Sequence, residues 1–156
     1  MIYLATDHRG YELKEKIKLW LKEWGFEFED CGAFTLDPED DYPDFISKAA
    51  QKVSEDPENN KAIVLGGSGQ GEAIVANKFK GVRAVVFYTS AKTDHGEDLI
   101  KLSREHNNAN ILALGASFIS EEEAKNVIKL WLETPFLTEG RHARRINKIK
   151  ELESKI

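Results

Sequence analysis

The residues best suited to chemistry are a run of glycines and the glutamate that follows it. Gly67, Gly69 and Gly71 alternate with other residues directly after an apolar run, and Glu72 comes next. Successive backbone N–H groups in such a turn form a concave site for an anion. A carboxylate beside those donors can remove a proton next to a carbonyl, while the donors stabilise the developing enediolate. A tight turn that packs a helix on a sheet is the alternative, but one turn seldom requires so many glycines.

This glycine run does not match the two common nucleotide-binding motifs. A dinucleotide fingerprint places G-x-G-x-x-G after the first strand, and a P-loop contains a lysine. Here the glycines occur at alternate positions after the third apolar run, and the lysine is missing. Ser68 adds a hydroxyl donor within the run. The pattern therefore favours a small oxyanion over a nucleotide.

Polar residues in two other segments are candidates for the same chemistry. Asp7 and His8 follow the first apolar run, although Asp7 is also suited to cap the next helix. His106 is titratable, and the amide of Asn107 both donates and accepts hydrogen bonds, although a turn is the simpler interpretation of both residues. Because no histidine–carboxylate set has metal-ligand spacing, we expect no metal.

A basic cluster lies near the end of the chain. Arg141 and Arg145 are four residues apart, so they share one face of a helix, and their forked donors suit a phosphate. A solvated helix face is the alternative. The cluster contains no aromatic residue and the whole chain carries a formal net charge of −5, so we expect no nucleic-acid partner.

Alternating strands and helices must position these residues. Apolar runs predict strands at 2–6, 26–30, 61–66, 82–88 and 110–115. Helical periodicity predicts helices within 11–25, from near Pro43, within 72–79, from the N-cap Ser120, and over about 140–155. This alternation predicts an α/β protein with a five-stranded parallel sheet between two layers of helices, whose ligands bind beyond the carboxyl ends of the strands. The segment 88–98 is predicted to be a long excursion at the edge of the site.

Length and composition restrict the remaining classes. The 156 residues predict a single domain over 1–156. No apolar stretch reaches the ~20 residues that cross a bilayer, so we expect no membrane contact. Cys31 is the single cysteine, which predicts a reducing, cytoplasmic location. No neighbour in the sequence activates Cys31, so we do not expect it to be a nucleophile.

Five stretches, in this order, resemble the ribose-5-phosphate isomerase B family, which also contains galactose-6-phosphate isomerase subunits. They are TDHRGYELK, DCG followed by DYPDF, GGSGQGEAIVANKFKGVRA, LSREHNNANILALGA and EGRHARRINKI, and they extend over nearly the whole chain. The resemblance implies a Rossmann-like, flavodoxin-like sandwich without metal or cofactor. It also implies a homodimer, or as an alternative a tetramer, in which each active site is shared between subunits.

The same resemblance implies aldose–ketose isomerisation of a sugar phosphate. Ribose 5-phosphate and ribulose 5-phosphate are the expected pair, and a six-carbon (galactose or allose 6-phosphate) or four-carbon sugar phosphate is the alternative. Glu72 is then the base that acts through a cis-enediolate, and His106 opens the sugar ring. The implied substrate contacts are Asp7, His8, Gly67, Ser68, Gly69, Gln70, Gly71, Asn107, Arg141 and Arg145.

Two positions distinguish this chain within the family. Some relatives use a cysteine base at the position of Gly66, so the chain resembles the branch whose base is a glutamate. Many relatives carry an arginine where this chain has Ser117, which leaves the affinity for phosphate open. A non-catalytic phosphosugar- or nucleotide-binding module and a flavin-binding electron carrier are the rival classes. The presence of both Glu72 and His106 favours the enzyme.

Overall fold

The computed structural model describes residues 1–88 and 96–155, with only the backbone for residues 96–98. Within these residues, strands and helices alternate along the chain. In chain order they are β1 (Ile2–Thr6), α1 (Tyr11–Glu23), β2 (Phe28–Asp30), α2 (Tyr42–Glu55), β3 (Lys61–Gly66), α3 (Gln70–Ala76), β4 (Ala84–Phe87), α4 (Gly96–Glu105), β5 (Ile111–Gly115), α5 (Glu121–Glu133) and α6 (Gly140–Glu153).

The strands form one parallel sheet in the order β2-β1-β3-β5-β4. This confirms the predicted α/β class and the five-stranded parallel sheet. Relative to the flavodoxin order 2-1-3-4-5, the last two strands are exchanged. The two outer strands, β2 and β4, are shorter than the predicted 26–30 and 82–88, as edge strands commonly are. Because all strands are parallel, the sheet has a carboxyl edge, where the strands end, and an opposite amino edge, where they begin.

Helices cover both faces of the sheet, because successive strand residues point to opposite sides. Ile2 and Leu4 pack on the face covered by α1, α4 and α5, whereas Tyr3 and Ala5 pack on the face covered by α2 and α3. Trp131 on α5 is fully buried in the first of these two cores. The resulting three layers hold the strand ends, and therefore the loops that follow them, in fixed positions.

Hydrogen bonds define one boundary of each of two predicted helices. Gly25 lies just beyond α1 with a φ of 77°, in the left-handed region, and its N–H donates to the Lys22 carbonyl at 3.1 Å. Ser120 caps α5, since its Oγ accepts from the Glu123 N–H at 3.2 Å. None of the described helices combines the length and apolar character that a bilayer span requires.

Helix α4 was not predicted from the sequence, which left 99–105 unassigned. Ile100 is buried in the core, and one turn later Arg104 is 6% exposed. The Arg104 guanidinium donates to the Thr134 carbonyl at 3.2 Å and to Asn108 Oδ1 at 3.0 Å. Arg104 therefore lies on the buried face of α4, at a position where helical periodicity predicts an apolar residue. The end of the predicted 88–98 excursion is the first turn of α4, and residues 89–95 lie outside the described residues.

Candidate active site

Three loops meet at the carboxyl edge beside β1, β3 and β5. The Thr6 hydroxyl donates to the Leu65 carbonyl at 3.0 Å, which joins the ends of β1 and β3. The Ser117 N–H donates to the Gly67 carbonyl at 3.1 Å, which joins the loop after β5 to the glycine loop after β3. The chain leaves β1 toward one face of the sheet, through α1, and leaves the neighbouring β3 toward the other face, through α3. Parallel sheets bind ligands at such a switch point.

Packing within the protein requires a glycine at position 69 of the glycine loop but not at position 67. Gly69 has a φ of 78°, and a Cβ there would lie 3.0 Å from the Leu114 carbonyl carbon. Close packing on β5 therefore explains Gly69. A Cβ on Gly67 would meet no heavy atom closer than 3.7 Å, so packing does not explain that glycine. Ser68 Oγ accepts from the Gln70 N–H at 3.3 Å, which leaves the hydroxyl hydrogen free to donate.

Glu72 is 4% exposed in the first turn of α3, and its carboxylate points back at Gly66. A Cβ built on Gly66 would overlap that carboxylate. A side chain at position 66 and the Glu72 carboxylate therefore compete for one space. The structure therefore has room for a side chain at position 66 or for the carboxylate of Glu72 in its present position, but not for both.

Burial raises the pKa of Glu72, and the negative charge of Asp7 raises it further. A hydrogen bond from the glutamate's own backbone N–H acts in the opposite direction but does not outweigh burial. A carboxylate with a raised pKa is a stronger proton acceptor, because general bases work best when their pKa approaches the working pH.

Asp7 and His8 lie at the same edge, directly after β1. Asp7 is 6% exposed, and its Oδ1 accepts from the Arg9 N–H at 2.9 Å. Helix α1 has Gly10 as its N-cap without a side-chain cap, so the alternative that Asp7 caps this helix is wrong. His8 Nδ1 lies 2.6 Å from Asp40 Oδ1, and this hydrogen bond raises the pKa of His8. The imidazolium is thereby favoured, which suits an anionic ligand.

Asp40 and Tyr42 are site residues that sequence reasoning missed. Asp40 belongs to the loop that follows β2, and a Cβ on Gly71 would lie 2.7 Å from the Tyr42 hydroxyl oxygen. The rule that ligands bind beyond the carboxyl ends of strands would have indicated both residues, since both follow β2 in the chain. The sequence predictions cover the segments after β1, β3 and β4 but none after β2.

Among the described residues, the ligand atoms of Asp7, His8 and Asp40 lie within 4.8 Å of one another, close enough to share a cation. Sequence spacing could not reveal this set, because Asp40 is 32 residues from His8. Asp40 Oδ1 and His8 Nδ1 bind each other, whereas Asp40 Oδ2 is buried and has no hydrogen-bond partner among the described residues. The absence of a metal stays a prediction.

The other candidate residues form a second group, around the start of α6. His106 follows α4 and stacks on His142, with ring centroids 3.8 Å apart and planes 3° apart. Burial lowers the pKa of His142, and the charges of His106, Arg141 and Arg145 lower it further, which shows that the four side chains share one region. His142 was also missed, although it lies between the two arginines in the sequence. Asn107 follows His106 and is exposed.

This second group lies at the amino edge. His106 precedes β5, which begins at Ile111, and the far end of α6 also contacts segments that precede strands. Glu153 accepts from the Gly81 N–H at 2.7 Å before β4, and Lys150 lies 2.7 Å from Glu58 before β3. The length of β5 alone separates the two edges by roughly 13 Å.

A single chain therefore divides the predicted residues between two places. The carboxyl edge holds Asp7, His8, Gly67, Ser68, Gly69, Gln70, Gly71 and Glu72, and the amino edge holds His106, Asn107, Arg141 and Arg145. Cys31 directly follows β2 at the carboxyl edge but is buried. Burial raises the pKa of its thiol to about 11, so it remains neutral, as expected of a residue that is not a nucleophile.

Comparison with known proteins identifies relatives over almost the full length. Residues 2–149 match the family model described as Ribose/Galactose Isomerase. The ribose-5-phosphate isomerase B of Mycobacterium tuberculosis (strain H37Rv) is 42% identical over 97% of this chain and 89% of that protein.

Solved structures of similar proteins share the fold. The structure of ribose-5-phosphate isomerase B from Mycoplasma genitalium with bound ribulose-5-phosphate has a TM-score of 0.91 and 36% identity, over 99% of this chain and 97% of that chain. The ribose-5-phosphate isomerase B of Clostridium thermocellum has a TM-score of 0.86 and 40% identity, over the same two fractions.

Proposed function

The chain belongs to the ribose/galactose isomerase family, and from that premise we propose that it interconverts ribose 5-phosphate and ribulose 5-phosphate. Relatives at about 40% identity that are named ribose-5-phosphate isomerase B support this substrate pair. The observation that carries the proposal is the buried Glu72 carboxylate. It has a raised pKa, and it lies against the start of the glycine loop.

In the proposed mechanism, Glu72 transfers one proton between adjacent carbons. The carboxylate takes the proton from carbon 2 of the open-chain aldose, and the electrons of that bond form the carbon 1–carbon 2 double bond of a cis-enediolate. Backbone N–H groups in the part of the glycine loop that follows Gly67, together with the Ser68 hydroxyl, stabilise the negative oxygen. Glu72 then returns the proton to carbon 1. The hydroxyl on carbon 2 gives up its proton as its oxygen becomes the ketone, and the oxygen on carbon 1 takes up a proton to become the new hydroxyl. One base suffices because both carbons lie within its reach.

Ring opening is the role proposed for His106, and it requires a second copy of the chain. In one protomer His106 lies at the amino edge, roughly 13 Å or more from the carboxyl edge, where Glu72 lies. We propose a homodimer in which the amino-edge group of one protomer completes the carboxyl-edge group of the other. Twofold symmetry then creates two equal sites. A tetramer would be a pair of such dimers.

The phosphate of the substrate is proposed to bind Arg141 and Arg145 of one protomer together with His8 of the other. The guanidinium groups are permanently charged, and hydrogen bonding to Asp40 favours the charged form of His8. A single domain over 1–156 and a cytoplasmic location also belong to this proposal. They are supported by the continuous sheet and by the one cysteine, respectively.

Turnover of ribose 5-phosphate by purified, chelator-treated protein tests the proposal. Glu72→Gln keeps the shape of the side chain and removes the base, so kcat should fall by about 10²–10⁴-fold. Glu122→Gln, an exposed glutamate on α5, is the matched control and should retain full activity. Activity that survives Glu72→Gln would remove Glu72 from the mechanism. A wild-type protein that turns over only a six- or four-carbon sugar phosphate would keep the reaction class but change the substrate.

A further inference from the structure

A guanidinium group that sequence analysis did not consider lies directly over the glycine loop. Arg9 follows His8 in the loop after β1, and its Nη2 donates to Ser117 Oγ at 3.1 Å. A Cβ built on Gly67 would lie 3.7 Å from Arg9 Nε and 3.8 Å from both Arg9 Nη2 and Ser117 Oγ. The Arg9 side chain therefore spans the loops after β1, β3 and β5, at the point where they meet.

The position of Arg9 is fixed by its neighbours, but its charge is not neutralised by them. Its N–H donates to Asp7 Oδ1 at 2.9 Å, and the preceding His8 is held by Asp40. Among the side chains that the structure describes, no carboxylate forms an ion pair with the Arg9 guanidinium, and the residue is exposed. A fixed and uncompensated guanidinium beside backbone N–H donors is an arrangement that binds a multivalent oxyanion.

The open space over Gly67 is the second observation. Packing within the protein does not require a glycine there, since a Cβ would meet only ordinary contacts. What borders that space is the Arg9 guanidinium and the Ser117 hydroxyl, two donors that converge on it. A group with several acceptor oxygens would satisfy both donors, whereas an added methyl group would reduce the room for it.

We propose that Arg9 binds the phosphate group of the substrate over Gly67, with Ser117 holding the guanidinium in place. The inference rests on the proposed function, because it assigns a further phosphate ligand to the same site. It accounts for Ser117: the hydroxyl orients an arginine that reaches this position from β1, so a charged side chain at 117 is not needed. Arg9 would then set the distance between the phosphate and the base, and so contribute to the choice of sugar length.

Three variants and one control test the inference by two readouts. Arg9→Ala removes the guanidinium, and Ser117→Arg supplies one from the loop after β5. The double variant, which carries both substitutions, moves the guanidinium from position 9 to position 117. Lys22→Ala, at the far end of α1, is the control that removes the same charge roughly 16 Å away. The dissociation constant of inorganic phosphate is measured by calorimetric titration, and kcat and KM are measured with ribose 5-phosphate.

Loss of one charge-assisted ligand should weaken phosphate binding and raise KM by about tenfold or more in Arg9→Ala. The value of kcat should change much less, and the melting temperature should stay near that of wild type. Ser117→Arg in the Arg9→Ala background should restore phosphate binding to within a few-fold of wild type. A purely structural Arg9–Ser117 contact would lower the melting temperature instead and would not be rescued by the exchange.

The inference is overturned if Arg9→Ala binds phosphate within twofold of wild type, or if the exchange restores nothing. It is also overturned if wild-type protein binds no phosphate. A wild type that binds phosphate but does not turn over ribose 5-phosphate would contradict the proposed function alone. The phosphate titrations would then still decide the role of Arg9.

Discussion

The exclusion between a side chain at position 66 and the Glu72 carboxylate leads to a sharp prediction for Gly66→Ala. The new Cβ would lie no more than 2.7 Å from each of the three carboxylate atoms, whereas ordinary contacts begin at 3.4 Å. Even the farthest of these atoms must therefore retreat by about 0.7 Å, and a displacement near 1 Å at a reacting centre can cost on the order of 10²-fold in rate. We expect kcat to fall by about that factor.

The same overlap should destabilise the fold. Overpacking a buried site costs about 1–3 kcal/mol, which lowers the melting temperature of a domain of this size by several degrees. Both effects depend on the presence of the carboxylate. Glu72→Ala removes it, so adding Gly66→Ala in that background should cost neither further activity nor stability.

The assay is therefore a double-mutant cycle over Gly66→Ala and Glu72→Ala, with kcat for ribose 5-phosphate and the melting temperature as readouts. Gly66→Ala should lower kcat and the melting temperature in the wild-type background, and it should lower neither further in the Glu72→Ala background. Equal losses from Gly66→Ala in the two backgrounds would show that the alanine acts on something other than the glutamate. Near-wild-type activity of Gly66→Ala would refute the geometric reasoning itself.

Two further predictions concern pH. Burial and the charge of Asp7 raise the pKa of Glu72, and the base works only when it is ionised. On acidification kcat/KM should therefore fall at a higher pH than it would with an ordinary glutamate as the base. A pH–rate profile whose acidic decline lies at the usual glutamate pKa would contradict this. The hydrogen bond to Asp40 raises the pKa of His8, so the positive charge of His8 persists to higher pH. In Asp40→Asn that charge is lost at a lower pH, and KM should therefore begin to rise at a lower pH than in wild type. A dependence of KM on pH that is the same in both proteins would remove His8 from phosphate binding.

The fold could be predicted from the sequence because its signals are local. Each strand is a short apolar run, and α1 repeats its apolar residues with the period of one helix face, so Ile17, Trp20 and Leu21 are buried as their spacing requires. Helix α4 lacked this signal, because buried Arg104 satisfies its donors through backbone carbonyls that the sequence does not reveal. The exchange of the last two strands is a property of long-range pairing, on which local periodicity carries no information.

The candidate site was predicted only where its residues are close in sequence. The glycine loop and Glu72 form one continuous stretch, and Asp7 and His8 directly follow a strand. Asp40 was missed because its link to His8 joins segments 32 residues apart. The division of the predicted residues between two edges could be seen only once the direction of β5 was known.

The central claim is that Glu72 and His106 act together across two protomers, and mixed dimers test it most directly. Glu72→Gln and His106→Ala chains, carrying different affinity tags, are co-expressed and the heterodimer is purified through both tags. If the sites are shared, one of its two sites has both native side chains, so about half of wild-type activity should return from two inactive parents.

The reciprocal heterodimer pairs a wild-type chain with a chain that carries both substitutions. Shared sites leave it with no complete site, so it should be almost inactive, although one of its chains is native. Half activity in this second heterodimer, with none in the first, would show that Glu72 and His106 act within one chain. That result would contradict the account.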